Sequence, residues 1–451
     1  MLSSAWFARL TEWWANAWRW VLMALGAVIA TYIVLQQHST QGAYTAFAVA
    51  AVVVAASLIP RVPLAVALMA MPLMLVTERA GFGGTDLSVS DVALAAAFGT
   101  VILLGKRPYS APLRWMLWLN FLYQFATLFT VILNPFAANT IEWFHAWLLV
   151  SGALIVGWAL GRAGYARLAL LLIVAGSAVI AVGTIAAGVL QYAHGNLGPV
   201  YPSWPFPMQK NFAGTTLAFA AVIAYVNPVW MEWSKRWARF SFWLFCIGIV
   251  MTQSRQAVIG LIVAIVFIAM RKGSGGHSRF VLVLIIPGIW IVVAMVLGQL
   301  SSDNQFNSTH QRIDWLRQMY AWFKLSPVVG HGLRFWYQGG WANFQPPQAE
   351  VEVVTESGIV GLAAFIVMWV GMLVVLWRVN PLYGMLAFAV TLSRIVQAQF
   401  DLFWVASSVS VPFVIAGICL GAEALARERA AGGLTHRSMP LTGHLITVAG
   451  K

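Results

Sequence analysis

The sequence predicts an all-α protein that crosses a membrane roughly twelve to fourteen times and carries one large ordered loop on the outer face. Three observations predict it. First, 61% of the 451 residues are hydrophobic and 9% are charged, with a mean hydropathy of +0.79, whereas soluble domains carry roughly 25% charged residues. Second, apolar stretches long enough to cross a hydrocarbon core of about 30 Å recur from end to end. Third, the basic residues of successive connections fall mainly on one side of those stretches, the pattern that orients membrane proteins.

Taken in order, residues 1–19 set Trp6, Phe7, Leu10, Trp13, Trp14 and Trp18 against Arg9 and Glu12, the pattern of an interfacial helix with an aromatic anchor. No small-residue cleavage site follows, and further spans do, so a cleavable signal peptide is not expected. Spans are predicted at 20–36, 43–59, 62–76, 89–105, 115–133, 141–160, 168–190, 212–230, 240–251, 256–270 and 280–298, making a bundle over 20–298. The third and ninth are short enough to be re-entrant or tilted. Residues 299–356 form a long loop, spans at 357–377, 381–396 and 403–422 close the membrane domain, and 423–451 is a tail. Cys246 and Cys419 lie inside apolar runs, where cysteine behaves as a small hydrophobe.

With the N-terminus placed in the cytoplasm, 19 of the 27 Lys and Arg residues fall on the cytoplasmic side, and so does the C-terminus. Most of the net charge of +13 is thereby a topological signal and a contact with anionic membrane lipids; no nucleic acid partner is expected. The exceptions are Arg79, Lys210, Arg255, Arg312, Arg317, Lys324, Arg334 and Arg394. Four of these eight sit in the loop. That loop is too varied for a linker: Trp315, Met319 and Trp322 recur at helical spacing, so one face of a loop helix should pack on the membrane domain.

Polar groups gather at the outer ends of three spans. Lys210 and Asn211 follow a four-proline segment, Arg255 follows Thr252-Gln253-Ser254, and Arg394 precedes Gln397, Gln399 and Asp401. A cation at a helix start opposes the helix dipole. Lys210 and Arg255 therefore make better sense facing an anion, and with the backbone N–H groups they would form a diphosphate cradle; snorkelling to lipid phosphate is the alternative. Arg394 and Asp401 suit an intramembrane ion pair. Finally, FQPPQAEVEVVTESGIVGL (344–362) holds Glu350, Glu352 and Glu356, three of the 14 acidic residues. Pro346-Pro347 can set a helix start. Glu352 and Glu356 then share a face, and Glu350 occupies the first turn, either as a dipole partner or as the base that takes a hydroxyl proton. Glu356 suits a structural role at the exit helix.

Four pieces in this order carry a family resemblance: Gln209-Lys210-Asn211-Phe-Ala-Gly214, Ser254-Arg255, Arg312 toward Trp315 with Pro327-Val-Val-Gly330-His331-Gly332, and Glu356-Ser-Gly358-Ile-Val-Gly361. Over roughly 200–375 the chain resembles the O-antigen ligase and O-antigen polymerase superfamily. That resemblance implies a multi-pass protein of the bacterial inner membrane that moves a glycan from an undecaprenyl-diphosphate-linked donor to an acceptor hydroxyl, on a lipid or a glycan, at the periplasmic face. It implies that Lys210, Asn211 and Arg255 bind the diphosphate, with Arg312 or Arg334 helping. Trp336, Tyr337 and Trp341 would stack on sugar. The family's His-Asn pair is absent: Pro347-Gln348 stands there, so Gln348 replaces the Asn and Glu350 or His331 takes the role of the His. There is no Asp-x-Asp and no carboxylate-histidine cluster in the sequence, and the expected reaction needs no metal or other cofactor. The alternatives are a polysaccharide polymerase of the same superfamily, a transporter or flippase of lipid-linked glycans, and a non-catalytic assembly subunit.

Overall fold

A computed structural model describes residues 62, 64–78, 87–105, 107–271, 308–338 and 345–431. The interfacial helix predicted for 1–19, the spans at 20–36, 43–59 and 280–298, and Trp341 lie outside the described residues. The rest is all-α, with no strand among the described residues. The helices are α1 (Ala65–Leu73), α2 (Val89–Leu104), α3 (Ala111–Leu133), α4 (Ala137–Arg162), α5 (Ala166–Ala193), α6 (Lys210–Val226), α7 (Lys235–Thr252), α8 (Arg255–Arg271), α9 (Ser308–Leu325), α10 (Ala349–Arg378), α11 (Pro381–Gln397) and α12 (Ala406–Ala431). Five of them, α3, α4, α5, α10 and α12, are long and apolar enough to cross a membrane, and the protein is a multi-pass membrane protein.

Local chemistry sets the boundaries. Ser88 and Asp91 close a capping box at the start of α2. Asn227 takes a left-handed conformation and stops α6 ahead of Pro228, and Gln253 ends α7 in the same way. Pro381 occupies the first turn of α11, whose Asn380 side chain caps Leu382 N–H. Two predicted spans change accordingly: the one at 62–76 holds only the nine residues of α1, and the one at 403–422 begins at Ala406 and continues as helix to Ala431, into the predicted tail.

Burial sorts the helices into layers. In α6 every residue from Ala213 to Ala224 is buried, as expected of a helix apolar all round, and α12 is interior along most of its length. α3 and α10 instead keep an apolar face exposed. The tightest crossing joins α4 to α12. Gly157 and Gly161 lie on the backbone of Val414 and Ile418, and Gly417 and Gly421 lie on that of Leu154 and Trp158, leaving no room for a Cβ at any of the four. Paired small-residue steps of this kind let membrane helices approach closely. Between this seam and the other end of α4, the turn Leu148–Gly152 is a π-helix.

α10 is broken at Gly358, whose φ of 64° and ψ of −167° belong to a region that only glycine enters readily. A straight helix would bond Ile359 N–H to the Thr355 carbonyl and Val360 N–H to that of Glu356. Here Ile359 N–H donates to the Pro327 carbonyl (2.9 Å) and Val360 N–H to the Val328 carbonyl (3.4 Å), while the Thr355 and Glu356 carbonyls accept from His331 N–H (3.2 Å) and Gly332 N–H (2.9 Å). The loop thus replaces the bonds that the helix gives up. The fit is backbone on backbone: a Cβ on Gly330 would overlap Glu356, and one on Gly358 would overlap Val328.

Candidate functional site

The three clustered carboxylates all lie in the first turns of α10, and each reaches a different neighbour. Glu350 Oε1 accepts from Gln399 Nε2 (2.6 Å) at the end of α11. Glu352 is 1% exposed and accepts from Gln345 Nε2 (2.5 Å) and from Phe403 N–H (3.3 Å). Glu356 accepts from Arg334 N–H (2.8 Å) and Trp336 Nε1–H (2.9 Å), so it holds the loop instead of capping the exit helix. Of the three, only Glu350 keeps a buried oxygen, Oε2, with no hydrogen-bond partner. Glu350 and Gln399 stand at the head of an apolar groove of about 490 Å³ that runs between α10 and α11 past Phe365 and Val370 to Leu373.

The loop around Arg334 is built on a charge network that the sequence reading did not find. Arg334 has a positive φ of 59°, uncommon for a residue with a Cβ. Its Nε lies 3.0 Å from Glu142 Oε2 in α4. His145 Nδ1 lies 3.2 Å from Glu142, and its Nε2 lies 2.9 Å from Asp91 in α2. Asp91 also accepts from Ser88 N–H (2.9 Å) and Ser88 Oγ (2.8 Å). Ionised carboxylates only accept, so the His145 ring donates from both nitrogens and two cations balance two anions. Glu142 and Asp91 side chains are 4% exposed, while Arg334 keeps 29% of its side chain accessible. The network holds one guanidinium in place at the rim of the loop. A signal existed: an ionisable residue inside a span marks a functional candidate by default.

α6 and α8 start side by side, with Gly214 packed on the Ser254 side chain. Ser254 Oγ donates to Asn211 Oδ1 (3.4 Å), so the helices headed by Lys210 and Arg255 adjoin at their starts. Gln256 Nε2 donates to Asp401 Oδ2 (2.7 Å), which ties the α8 start to the segment between α11 and α12. That segment also supplies Phe403 N–H to Glu352, and Ala349 N–H donates to the Ala398 carbonyl (2.9 Å). The predicted Arg394–Asp401 ion pair does not form: Arg394 donates to the carbonyls of Leu402 (2.9 Å) and Phe403, and Asp401 takes Gln256 instead.

Other predicted residues divide. His331 Nε2 donates to the Trp322 carbonyl (2.8 Å) and the ring packs on Phe335, which joins the loop to α9. Met319 is buried there with Phe335 and Trp336, so the expected inward face of the loop helix exists. Trp336 is 2% exposed and cannot offer a face to a sugar, because its indole closes this small core. Tyr337 is 60% exposed, with the Arg334 guanidinium 5.7 Å from its ring centre. Gln348 caps α10 beside Glu350 without a side-chain cap bond. The backbone of Arg312 lies in α9.

Among the described residues, a polytopic α-helical domain brings basic helix starts, a carboxylate cluster and the docked loop segment 326–338 together, which defines a multi-pass membrane protein. Residues 240–366 match the family described as O-antigen ligase, a stretch that contains Arg255, the Gly330–Gly358 docking, Arg334 and all three carboxylates. That match, over little more than a quarter of the chain, supports membership of the O-antigen ligase and polymerase superfamily. No curated relative matches it.

Proposed function

We propose that the protein transfers a glycan from an undecaprenyl-diphosphate-linked donor to an acceptor hydroxyl at the periplasmic face of the bacterial inner membrane. The observation that supports this reading is that two abutting helix starts each carry a cation, Lys210 and Arg255. Backbone N–H groups and side-chain cations there suit a diphosphate, and the lipid-facing groove that begins at Glu350 suits the chain of a lipid-linked substrate. In the reaction, Lys210 and Arg255 stabilise the departing diphosphate, with Arg334 assisting from the loop. The acceptor oxygen attacks the anomeric carbon, the bond from that carbon to the phosphate oxygen breaks, and the hydroxyl proton passes to Glu350 Oε2. Glu350 is preferred to His331 as base because Glu350 lines the groove and its Oε2 is buried with no hydrogen-bond partner, whereas His331 is packed between the Trp322 carbonyl and the Phe335 ring. Lys210 offers a point charge where a guanidinium would bind two oxygens at once. A ligase and a polymerase would share this chemistry and differ in the acceptor.

Native mass spectrometry of the detergent-purified protein with undecaprenyl diphosphate tests the cradle. Binding to the wild type that is lost in Lys210→Ala/Arg255→Ala supports it. Equal binding to both forms removes the cradle and favours a transport role.

A further inference from the structure

A second polar pocket lies at the other end of the bundle. Glu142 and Gly161 stand near opposite ends of α4, about 28 Å apart at ~1.5 Å per residue, and Gly161 lines this second cavity of about 540 Å³. Its walls are Arg167 at the start of α5, Trp230 and Glu232 after α6, Tyr383 in α11, and Leu425 and Arg429 in α12. Trp230 and Tyr383 stack with ring centres 5.8 Å apart and planes 16° apart, and Trp230 Nε1 is fixed by the Leu382 carbonyl (2.9 Å). The aromatic wall is therefore rigid.

Charge in this pocket is unbalanced. Arg167 Nη1 lies 2.7 Å from Glu232, so those two cancel. Arg429 adds a positive charge and has no ion pair among the described residues; its neighbours Arg427 and Glu428 pair with Glu423 and Arg162 instead. Arg167 Nε is also buried with no acceptor. A concave site with one surplus positive charge, an unsatisfied guanidinium N–H, a stacked aromatic wall and an apolar flank from Leu425 matches one chemistry. We propose that it binds a phosphate diester whose headgroup carries a net negative charge, the chemistry of an anionic phospholipid. One phosphate would balance Arg429 and accept from Arg167 Nε, and the glycerol backbone would lie on the Trp230–Tyr383 wall. Basic pockets and aromatic side chains at helix ends hold headgroups in this way. The site shares no residue with the carboxylate cluster and stands independently of the transfer reaction.

The test is native mass spectrometry of the full-length protein titrated with phosphatidylglycerol, with phosphatidylethanolamine, and separately with soluble glycerol 1-phosphate. The wild type is compared with Arg429→Ala, Arg167→Gln and a control at the exposed Arg236→Ala, each checked for an unchanged elution profile. Tightest-site affinity for phosphatidylglycerol should fall about fivefold or more in the two pocket variants. It should hold in Arg236→Ala, and phosphatidylethanolamine should not discriminate among the four. If glycerol 1-phosphate binds as tightly as the lipid and depends on the same arginines, the pocket takes a free phosphate compound, and the phosphate chemistry stands with a different source. If neither anion distinguishes the pocket variants from wild type and control, the proposal is wrong.

Discussion

Among single residues, the two candidates for the base have different surroundings, and those surroundings forecast different losses. Glu350→Gln preserves shape and the contact with Gln399 but cannot take a proton. Transfer should fall at least ~100-fold, the usual contribution of a general base, with thermal stability unchanged. His331→Ala removes the bond to Trp322 and the packing on Phe335; it should lower stability by about 1–2 kcal/mol, with a smaller effect on transfer in the protein that remains folded. An in vitro assay with a lipid-linked donor, run beside thermal unfolding, separates the two, and the reverse pattern would return the role to His331. The Asp91–His145–Glu142–Arg334 network makes its own forecast. Glu142→Ala should destabilise by about 3 kcal/mol because it strands buried partners, and the Glu142→Ala/His145→Ala double variant should cost less than the sum of the two singles. Additive losses in denaturant unfolding would contradict the coupling. The crowding of Glu350, Glu352 and Glu356 was legible in the sequence because the chain is otherwise poor in acids. Asp91, Glu142 and His145 were not legible as a group: His145 and Asp91 are 54 positions apart, and each alone reads as one polar residue near the end of an apolar span.

For the helices, glycine placement decides what can touch. The two family-like glycine motifs were visible in the sequence as spacing, but their purpose was not, since periodicity says nothing about a helix that hands its hydrogen bonds to a loop. Gly358→Ala forces a Cβ both into a backbone region suited to glycine and onto Val328, and should cost about 3 kcal/mol. Gly417→Ala should cost about 1–3 kcal/mol by prising α12 from Leu154 and Trp158. Size-exclusion profiles after a heating series would show both as lowered midpoints; wild-type behaviour for Gly358→Ala would mean that the docking is looser than described. The run at 62–76 is apolar enough for a longer helix, yet only nine of its residues are helical.

For the molecule as a whole, basic residues assigned to the two sides stand, among the described residues, at opposite ends of the helices, with Lys210, Arg255 and Arg334 at one end and Arg162, Arg167 and Arg429 at the other. If the carboxylate end faces the periplasm, Ser203→Cys should react with a membrane-impermeant maleimide in intact cells, and Ser234→Cys only after permeabilisation. Both positions are exposed. The opposite labelling would invert the orientation and move the proposed transfer to the cytoplasmic side. One feature of α4 joins the two ends. Its π-turn at Leu148–Gly152 carries one more residue than an α-turn would, and it lies between the glycine seam and the Glu142–His145 pair. Removing a single residue there would restore an ordinary helix and leave the seam with α12 undisturbed. Glu142 and His145 would then keep nearly their present angle, because the wider turn already absorbs the extra residue. The turn therefore acts as slack in the helix: it takes up one surplus residue between two fixed points, so that the glycine seam and the Glu142–His145 pair can each keep their partners.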